Sequence, residues 1–114
     1  MKTSIAQALV LTLAASIKIA EACSSYGTCR CTSADGSVPN NITAQACTAY
    51  RSQFGQGDDK ATAYLPATDG DGNTVCKNGF IGKDLVFFSN CDFRAACTAA
   101  GATGSDSLCS DKQQ

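Results

Sequence analysis

The pattern of apolar and polar positions in the first half of the mature chain predicts one strand followed by one helix. Polar residues alternate with two cysteines from Thr28 to Thr32, which places Cys29 and Cys31 on one face of a strand. Asp35-Gly36 then turns the chain. Thr43 is predicted to cap a helix that ends at Gly55. Its apolar stripe has helical spacing and consists of Ile42, Ala46, Cys47, Tyr50 and Phe54.

The second half predicts two strands, a helix and a short last strand. The stretch 55–72 is rich in Gly, Asp and Ala and is expected to be a long surface loop. Asp84 to Ser89 is the strongest strand signal, because it is rich in branched and aromatic residues. The remaining predicted elements are a strand at 74–76, a helix from Cys91 to Ala100 capped by Asn90 and ended by Gly101, and a strand at 107–110.

This order of strand, helix, strand, strand, helix and strand is the split βαβ arrangement of ferredoxin-like folds. The predicted fold class is therefore α+β. We expect a small disulfide-stabilised sandwich with two helices on one face of a four-stranded antiparallel sheet.

The first residues have the layout of a secretory signal peptide. Met1 and Lys2 precede an apolar run of about a dozen residues, and small residues follow. Ala20-Glu21-Ala22 predicts cleavage that leaves residues 23–114 as a single disulfide-rich domain, with Ala14-Ala15-Ser16 as the competing site. The apolar run is shorter than the roughly twenty residues that span a bilayer. We expect residues 1–22 to be removed and the protein to be secreted, without a stable membrane anchor.

The net charge of the mature chain argues against nucleic acid as a partner. The mature chain keeps seven basic and nine acidic residues, so its net charge is near −2. Binding to nucleic acid depends on neutralising phosphates with Lys and Arg, and this chain has no basic stripe. We expect no nucleic-acid partner, and we expect a monomer.

The cysteines are the dominant chemical feature. Eight cysteines in an exported chain predict four disulfides, formed by Cys23, Cys29, Cys31, Cys47, Cys76, Cys91, Cys97 and Cys109. If both helices run antiparallel to the first strand, the start of the first helix lies near the end of that strand and the end of the second helix near its beginning. This predicts Cys31–Cys47 and Cys29–Cys97. The other four cysteines are expected to pair among themselves in an order that is left open.

Candidate sites for metal ions and for catalysis are weak. The chain has no His, and its cysteines lack zinc-knuckle spacing, so we expect no metal ion and no cofactor. The segment from Asp69 to Asn73 resembles the opening of a calcium loop but lacks the Gly and Glu that an EF-hand requires, which favours a plain turn. Asp58 and Asp59 are adjacent in a Gly-rich loop, where solvation is the simpler role. Without His or a Glu in the mature chain, no enzyme activity is expected.

Two surface features are candidates for interactions. Asn41-Ile42-Thr43 is an N-glycosylation sequon, so Asn41 is expected to lie at the surface. Arg30, Thr28 and Thr32 are expected to line the open face of the sheet. Either Leu85 with Phe87, or Val86 with Phe88, would lie beside them as an apolar patch for a partner, unless the long loop covers that side.

The cysteine and glycine spacing resembles that of small, cysteine-rich secreted proteins of filamentous fungi, including plant-associated effectors. The matching features are the run from Tyr26 to Cys31, Asp35-Gly36, Asn41, Thr43, Cys47, Phe88, Cys91, Cys97, Gly101 and a final Gly104-x4-Cys109. Some of these proteins resemble the α/β fold of a smut-virus killer toxin, with two helices on a four-stranded sheet. That toxin is cut at dibasic sites, which this chain lacks.

The resemblance implies a secreted, non-enzymatic role toward a host or a competitor. The leading hypothesis is an effector-like binding protein that acts on an unknown host or microbial protein, outside cells, in the host apoplast or inside host cells. The alternatives are an antimicrobial or killer-type toxin, and a protease or hydrolase inhibitor that presents Lys60 on its long loop.

Overall fold

The computed structural model describes residues 23–113, so the predicted signal peptide and both of its cleavage sites lie outside the described residues. Two helices and seven strands are found within that range. In chain order they are β1 (Ser25–Arg30), α1 (Asn40–Phe54), β2 (Leu65–Thr68), β3 (Thr74–Lys77), β4 (Gly79–Ile81), β5 (Asp84–Val86), β6 (Phe88–Ser89), α2 (Asn90–Ala99) and β7 (Leu108–Lys112).

Strand β1 lies in the middle of the larger, antiparallel sheet. Cys29 is directly opposite Cys76 of β3 and also directly opposite Cys109 of β7. Because a strand has two edges, β3 and β7 must lie on opposite sides of β1. Strand β6 pairs with the beginning of β1, and β2 pairs with β3. This sheet therefore has five strands where four were predicted, and β4 and β5 form a separate two-stranded sheet.

Two strand predictions are corrected by this arrangement. The predicted strand from Asp84 to Ser89 is divided, because its first three residues form β5 and Phe88 and Ser89 form β6. The two parts belong to different sheets, so the run does not show the alternation of polar and apolar residues that one half-buried strand would have. The predicted surface loop 55–72 contains β2, where Pro66 is tolerated because β2 is an edge strand.

Both helices cover the same face of the larger sheet, as predicted. Cys29 and Cys76 are directly opposite each other and therefore point to one face, and Cys31 shares that face because side chains alternate along a strand. Cys76 is bonded to Cys47 of α1, and Cys31 is bonded to Cys97 of α2. The predicted apolar stripe of α1 is confirmed, since Ala46, Cys47 and Tyr50 are buried and Ile42 and Phe54 pack against the core.

The N-terminal caps of both helices differ from the predicted ones, whereas Gly55 and Gly101 end the helices as predicted. Helix α1 begins three residues before Thr43, with Pro39 as its N-cap and no side-chain cap. Thr43 is instead fully buried, and its Oγ1 accepts a hydrogen bond of 3.1 Å from the amide of Cys31. Helix α2 is capped by Ser89, whose hydroxyl accepts a hydrogen bond from the amide of Asp92. Gly101 follows α2 with a φ of +102°, a conformation that favours glycine.

The space between the helices and the sheet is filled by aromatic rings. Tyr50 lies at the centre, with its ring centroid 4.4–5.8 Å from those of four neighbours, Phe54, Tyr64, Phe88 and Phe93. Its hydroxyl accepts a hydrogen bond of 3.0 Å from the amide of Ser89. Burial raises the pKa of Tyr50 to about 12. The phenol of Tyr50 is therefore uncharged at neutral pH.

All eight cysteines form disulfides, as predicted, but the two proposed pairings are wrong. The bonds are Cys23–Cys91, Cys29–Cys109, Cys31–Cys97 and Cys47–Cys76. The proposed Cys31–Cys47 and Cys29–Cys97 bonds are therefore excluded. Of the four cysteines expected to pair among themselves, only Cys23 and Cys91 do so.

The error lies in the direction of the second helix. Cys91 in the first turn of α2 is bonded to Cys23 before β1, and Cys97 near its end is bonded to Cys31 after β1. Helix α2 therefore runs in the same direction as β1, because it turns back after β6, an antiparallel partner of β1. Helix α1 does run antiparallel, since Thr43 in its first turn contacts Cys31.

The buried hydrogen bond of Thr43 gives a test of the packing between α1 and β1. Replacing Thr43→Val should destabilise the protein by about 1–3 kcal/mol, because the amide of Cys31 would be left buried without an acceptor. Thr43→Ser keeps the hydroxyl and is the matched control, with a smaller loss from the missing methyl group. Both variants are measured by chemical denaturation of protein produced without glycosylation. Equal stability of Thr43→Val and the parent protein would contradict this account.

Candidate functional site

The hairpin formed by β4 and β5 has one face on the core and one face in solvent. Ile81 and Val86 pack against the core cluster. Phe80 and Leu85 are directly opposite each other on the two strands, so they share the other face. They are 48% and 50% exposed. This pair is the candidate contact surface, because large apolar side chains held side by side in solvent are typical of interaction sites.

Hydrogen bonds from the preceding segment hold the hairpin in place. The amide of Thr62 donates to the carbonyl oxygen of Phe80, and the amide of Phe80 donates to the hydroxyl of Thr62, both at 2.9 Å. Gly79 allows this approach, because a Cβ there would lie 2.5 Å from the carbonyl oxygen of Thr62. The two-residue turn has Gly82 at its first central position with a φ of +60°, as a type II′ turn requires.

Arg51 of α1 fixes the segment that carries Thr62. Its Nη1 donates to the carbonyl oxygen of Ala63 at 2.6 Å, and its Nη2 donates to that of Asp58 at 3.4 Å. Ala63 itself is fully buried. The hairpin is therefore connected to the first helix through one layer of backbone hydrogen bonds, and Phe80 and Leu85 are presented by a fixed scaffold.

Sequence analysis predicted one of the two residues of this surface. Leu85 was one of the predicted apolar patch residues, but it lies on the separate hairpin and not beside Arg30. The alternative pair is excluded as a surface, because Phe88 is fully buried. Phe80 was missed. Its available signal was Gly82, which marks a two-residue turn between two short apolar stretches.

The open face of the larger sheet carries the other predicted residues. Thr28 and Arg30 line a shallow depression there, beside Leu108 and Ser110 of β7. Thr32 does not join them, and its hydroxyl donates to the carbonyl oxygen of Asp106. The two exposed leucines on this face are not paired with each other, since Leu108 is directly opposite Arg30 and Leu65 is directly opposite Lys77.

The resemblance of residues 69–73 to a calcium loop has a structural explanation. Oδ1 of Asp69 accepts hydrogen bonds of 2.9 Å from the amides of both Asp71 and Asn73, and Oδ2 accepts one of 3.1 Å from Nη1 of Arg30. The carboxylate therefore closes the turn between β2 and β3, as the plain-turn prediction stated. Across the described part of the chain, no cluster of three or more His, Cys, Asp or Glu side chains is arranged to hold a metal ion.

Two other candidates do not form a site. Asp58 accepts a hydrogen bond from the amide of Lys60 through Oδ1, which places its carboxylate in a local turn. Lys60 is in the same turn, because the amide of Ala61 donates to the carbonyl oxygen of Asp58. Ala61 is buried. Lys60 therefore lies in a hydrogen-bonded turn and not in an extended segment.

Asn41 is exposed in the first turn of α1, where a glycan would extend into solvent. The sequon hydroxyl of Thr43 is buried in the fold. Phe54, at the other end of this fifteen-residue helix, packs against Tyr50. A helix of that length extends about 22 Å. A glycan on Asn41 would therefore lie toward the opposite end of this helix from Arg51, which holds the segment before the hairpin.

Comparison with protein-family models, with curated proteins and with solved structures found no match. The resemblance to secreted fungal proteins and to the killer-toxin fold therefore remains a prediction.

The carboxylate of Asp69 gives a test of the turn. Its hydrogen bonds, first of all that from the amide of Asn73, and the guanidinium of Arg30 hold the pKa of Asp69 below its usual value. Such a group stabilises the fold above its unfolded pKa of about 3.9, and this contribution is lost as the pH falls through the lower folded pKa. Asp69→Asn should therefore be less stable than the parent at pH 6, with the difference shrinking toward pH 2.

The measurement for Asp69 is urea denaturation at several pH values between 6 and 2. Asp106→Asn is the control for removing one carboxylate from an exposed loop. A difference between Asp69→Asn and the parent that stays constant with pH would show that the charge of Asp69 has no role in the turn.

Proposed function

We propose that this chain is a secreted, disulfide-stabilised binding protein without catalytic activity, which acts on a host or competitor protein. The observation that carries this proposal is the exposed pair of Phe80 and Leu85 on a hairpin whose other face is fixed to the core. We propose this outer face as the contact surface, and we call it the hairpin face.

Secretion is supported by the cysteine chemistry. Four disulfides occur in the described residues, and all eight cysteines take part. Such frameworks form in oxidising compartments and are rare in the cytosol. The predicted signal peptide at residues 1–22 is independent support from the sequence. Within residues 23–113, no helix is long and apolar enough to cross a membrane.

The absence of catalytic activity is supported by the residue inventory. The chain has no His, and its one Glu belongs to the predicted signal peptide. In the adjacent pair Asp58 and Asp59, which was the candidate for acid–base work, the carboxylate of Asp58 accepts a backbone hydrogen bond in a turn. General acid–base catalysis needs a side chain that is free to reach a substrate proton.

The killer-toxin alternative is compatible with the same disulfide-stabilised fold, but the net charge of the mature chain does not support it. Membrane-active toxins are usually cationic, whereas the mature chain has a net charge near −2.

The split βαβ arrangement is a further proposal. It is supported by the neighbour order β7, β1, β3 and β2 and by the position of each helix in the chain. The β4–β5 hairpin would then be an insertion between two parts of one strand position.

The hairpin face is tested by removing its apolar side chains. The double variant Phe80→Ser and Leu85→Ser should keep the parent fold and lose at least tenfold in affinity for its partner. Each side chain would contribute about 1–2 kcal/mol when its exposed half is buried on binding. Immobilised oxidised protein is used to capture partners from host extracellular fluid, from host cytosol and from cultures of competing microbes, and affinity is then measured with the captured protein.

Leu108→Ser is the matched control, because Leu108 is 48% exposed and lies on the open face of the larger sheet. This variant should bind like the parent. Equal loss of binding in the control and the double variant, or full binding by the double variant, would contradict the assignment of the hairpin face. The fold of each variant is checked by its disulfide map and its thermal unfolding.

A further inference from the structure

Three cysteines occupy one row across the larger sheet. Cys29 of β1 is directly opposite Cys76 of β3 on one side and Cys109 of β7 on the other. Directly opposite residues point to the same face, so their three sulfur atoms lie on the helix-covered side. Cys29 is bonded to Cys109, and Cys76 is bonded to Cys47 of α1. Two different disulfides therefore meet at neighbouring positions of one row.

The backbone is already suited to a second pairing. Directly opposite Cα atoms in antiparallel strands are about 4.5–5.5 Å apart. Disulfides usually join Cα atoms about 4.4–6.8 Å apart. A Cys29–Cys76 bond therefore requires no movement of β1 relative to β3. Cys29 has two possible partners on the strands beside it, and the native fold uses one of them.

Solvent reaches only one end of this row. Cys29, Cys47 and Cys76 are fully buried, whereas Cys109 is half-buried on β7, which pairs with β1 alone and forms an edge of the larger sheet. Within this row, a thiol from solution therefore meets Cys109 first. The Cys31–Cys97 bond is protected, because its two residues are 0% and 3% exposed.

We propose that the Cys29–Cys109 bond is a redox-sensitive latch that a small thiol of the glutathione class opens by disulfide exchange within this row. The thiolate of the small molecule attacks the sulfur of Cys109, forms a mixed disulfide there and releases the thiolate of Cys29. That thiolate attacks the sulfur of Cys76, forms Cys29–Cys76 and releases the thiolate of Cys47, which takes up a proton. The number of disulfides is unchanged, and one external thiol is consumed.

The exchange changes what holds the last strand. In the larger sheet, β7 pairs with β1 alone, and Cys109 is its covalent connection to the rest of that sheet. After exchange, β7 keeps only its hydrogen bonds to β1, while β1 and β3 become covalently joined. A reducing compartment would thus leave the C-terminal strand held by hydrogen bonds alone and keep the Cys31–Cys97 connection between β1 and α2 in place. This inference rests on the cysteine row and does not depend on the hairpin face.

The test uses the oxidised mature protein and limiting reduced glutathione. Samples are quenched with N-ethylmaleimide and digested with trypsin, chymotrypsin and Asp-N, which together cleave between every neighbouring pair of cysteines. Cys23 is exposed, so reaction at the Cys23–Cys91 bond is scored separately. Among the species that keep Cys23–Cys91, the singly modified one should carry glutathione on Cys109 and N-ethylmaleimide on Cys47, together with a Cys29–Cys76 peptide. N-ethylmaleimide on Cys29 with Cys47–Cys76 intact would overturn the proposal, and so would loss of Cys31–Cys97 before Cys109 reacts.

A variant tests the same row without added thiol. Cys109→Ser leaves Cys29 without its native partner, and the folded variant should contain Cys29–Cys76 with a free Cys47. In the matched variant Cys91→Ser, Cys23 is left without its partner at a position outside the row, and the other three native disulfides should remain. A Cys109→Ser protein with intact Cys47–Cys76 and a free Cys29 would contradict the proposed exchange.

Discussion

The whole fold depends on the covalent connections of the central strand. Three cysteines in or beside β1, Cys23, Cys29 and Cys31, are bonded to the start of α2, to β7 and to the end of α2. The fourth disulfide joins α1 to β3, the neighbour of β1. In the chain-entropy model each disulfide stabilises a domain by about 2–4 kcal/mol. A mature chain of this size has a modest core, so this contribution is a large part of its stability.

Because the four disulfides stabilise the domain, a small hydrophobic core is sufficient to keep it folded. Tyr50 and the four aromatic rings around it fill the space under the helices, and most of the remaining buried residues are cysteines or alanines. The hairpin of β4 and β5 packs on this core through Ile81 and Val86, and Thr62 and Arg51 hold it further through hydrogen bonds to backbone groups. Phe80 and Leu85 remain about half exposed, and we expect neither side chain to be needed for folding, because the disulfides and the aromatic core hold the rest of the molecule.

Local features were predictable from the sequence, and long-range ones were not. Alternation placed Cys29 and Cys31 on one face, the apolar stripe of α1 was correct, and Gly101 follows α2 as expected. Pairing failed because it depends on the register of β1 with β3 and β7 and on the direction of α2, which no local pattern encodes. The division of the run from Asp84 to Ser89 was hidden for the same reason, since Val86 packs on the core from the hairpin and Phe88 from the larger sheet.

The most direct test of this account is a non-reduced peptide map of the secreted protein. The account predicts Cys23–Cys91, Cys29–Cys109, Cys31–Cys97 and Cys47–Cys76, with no free thiol. These bonds would place β1 at the centre of the covalent framework. A map that contains Cys31–Cys47 or Cys29–Cys97, or that shows a free cysteine in the folded protein, would contradict it.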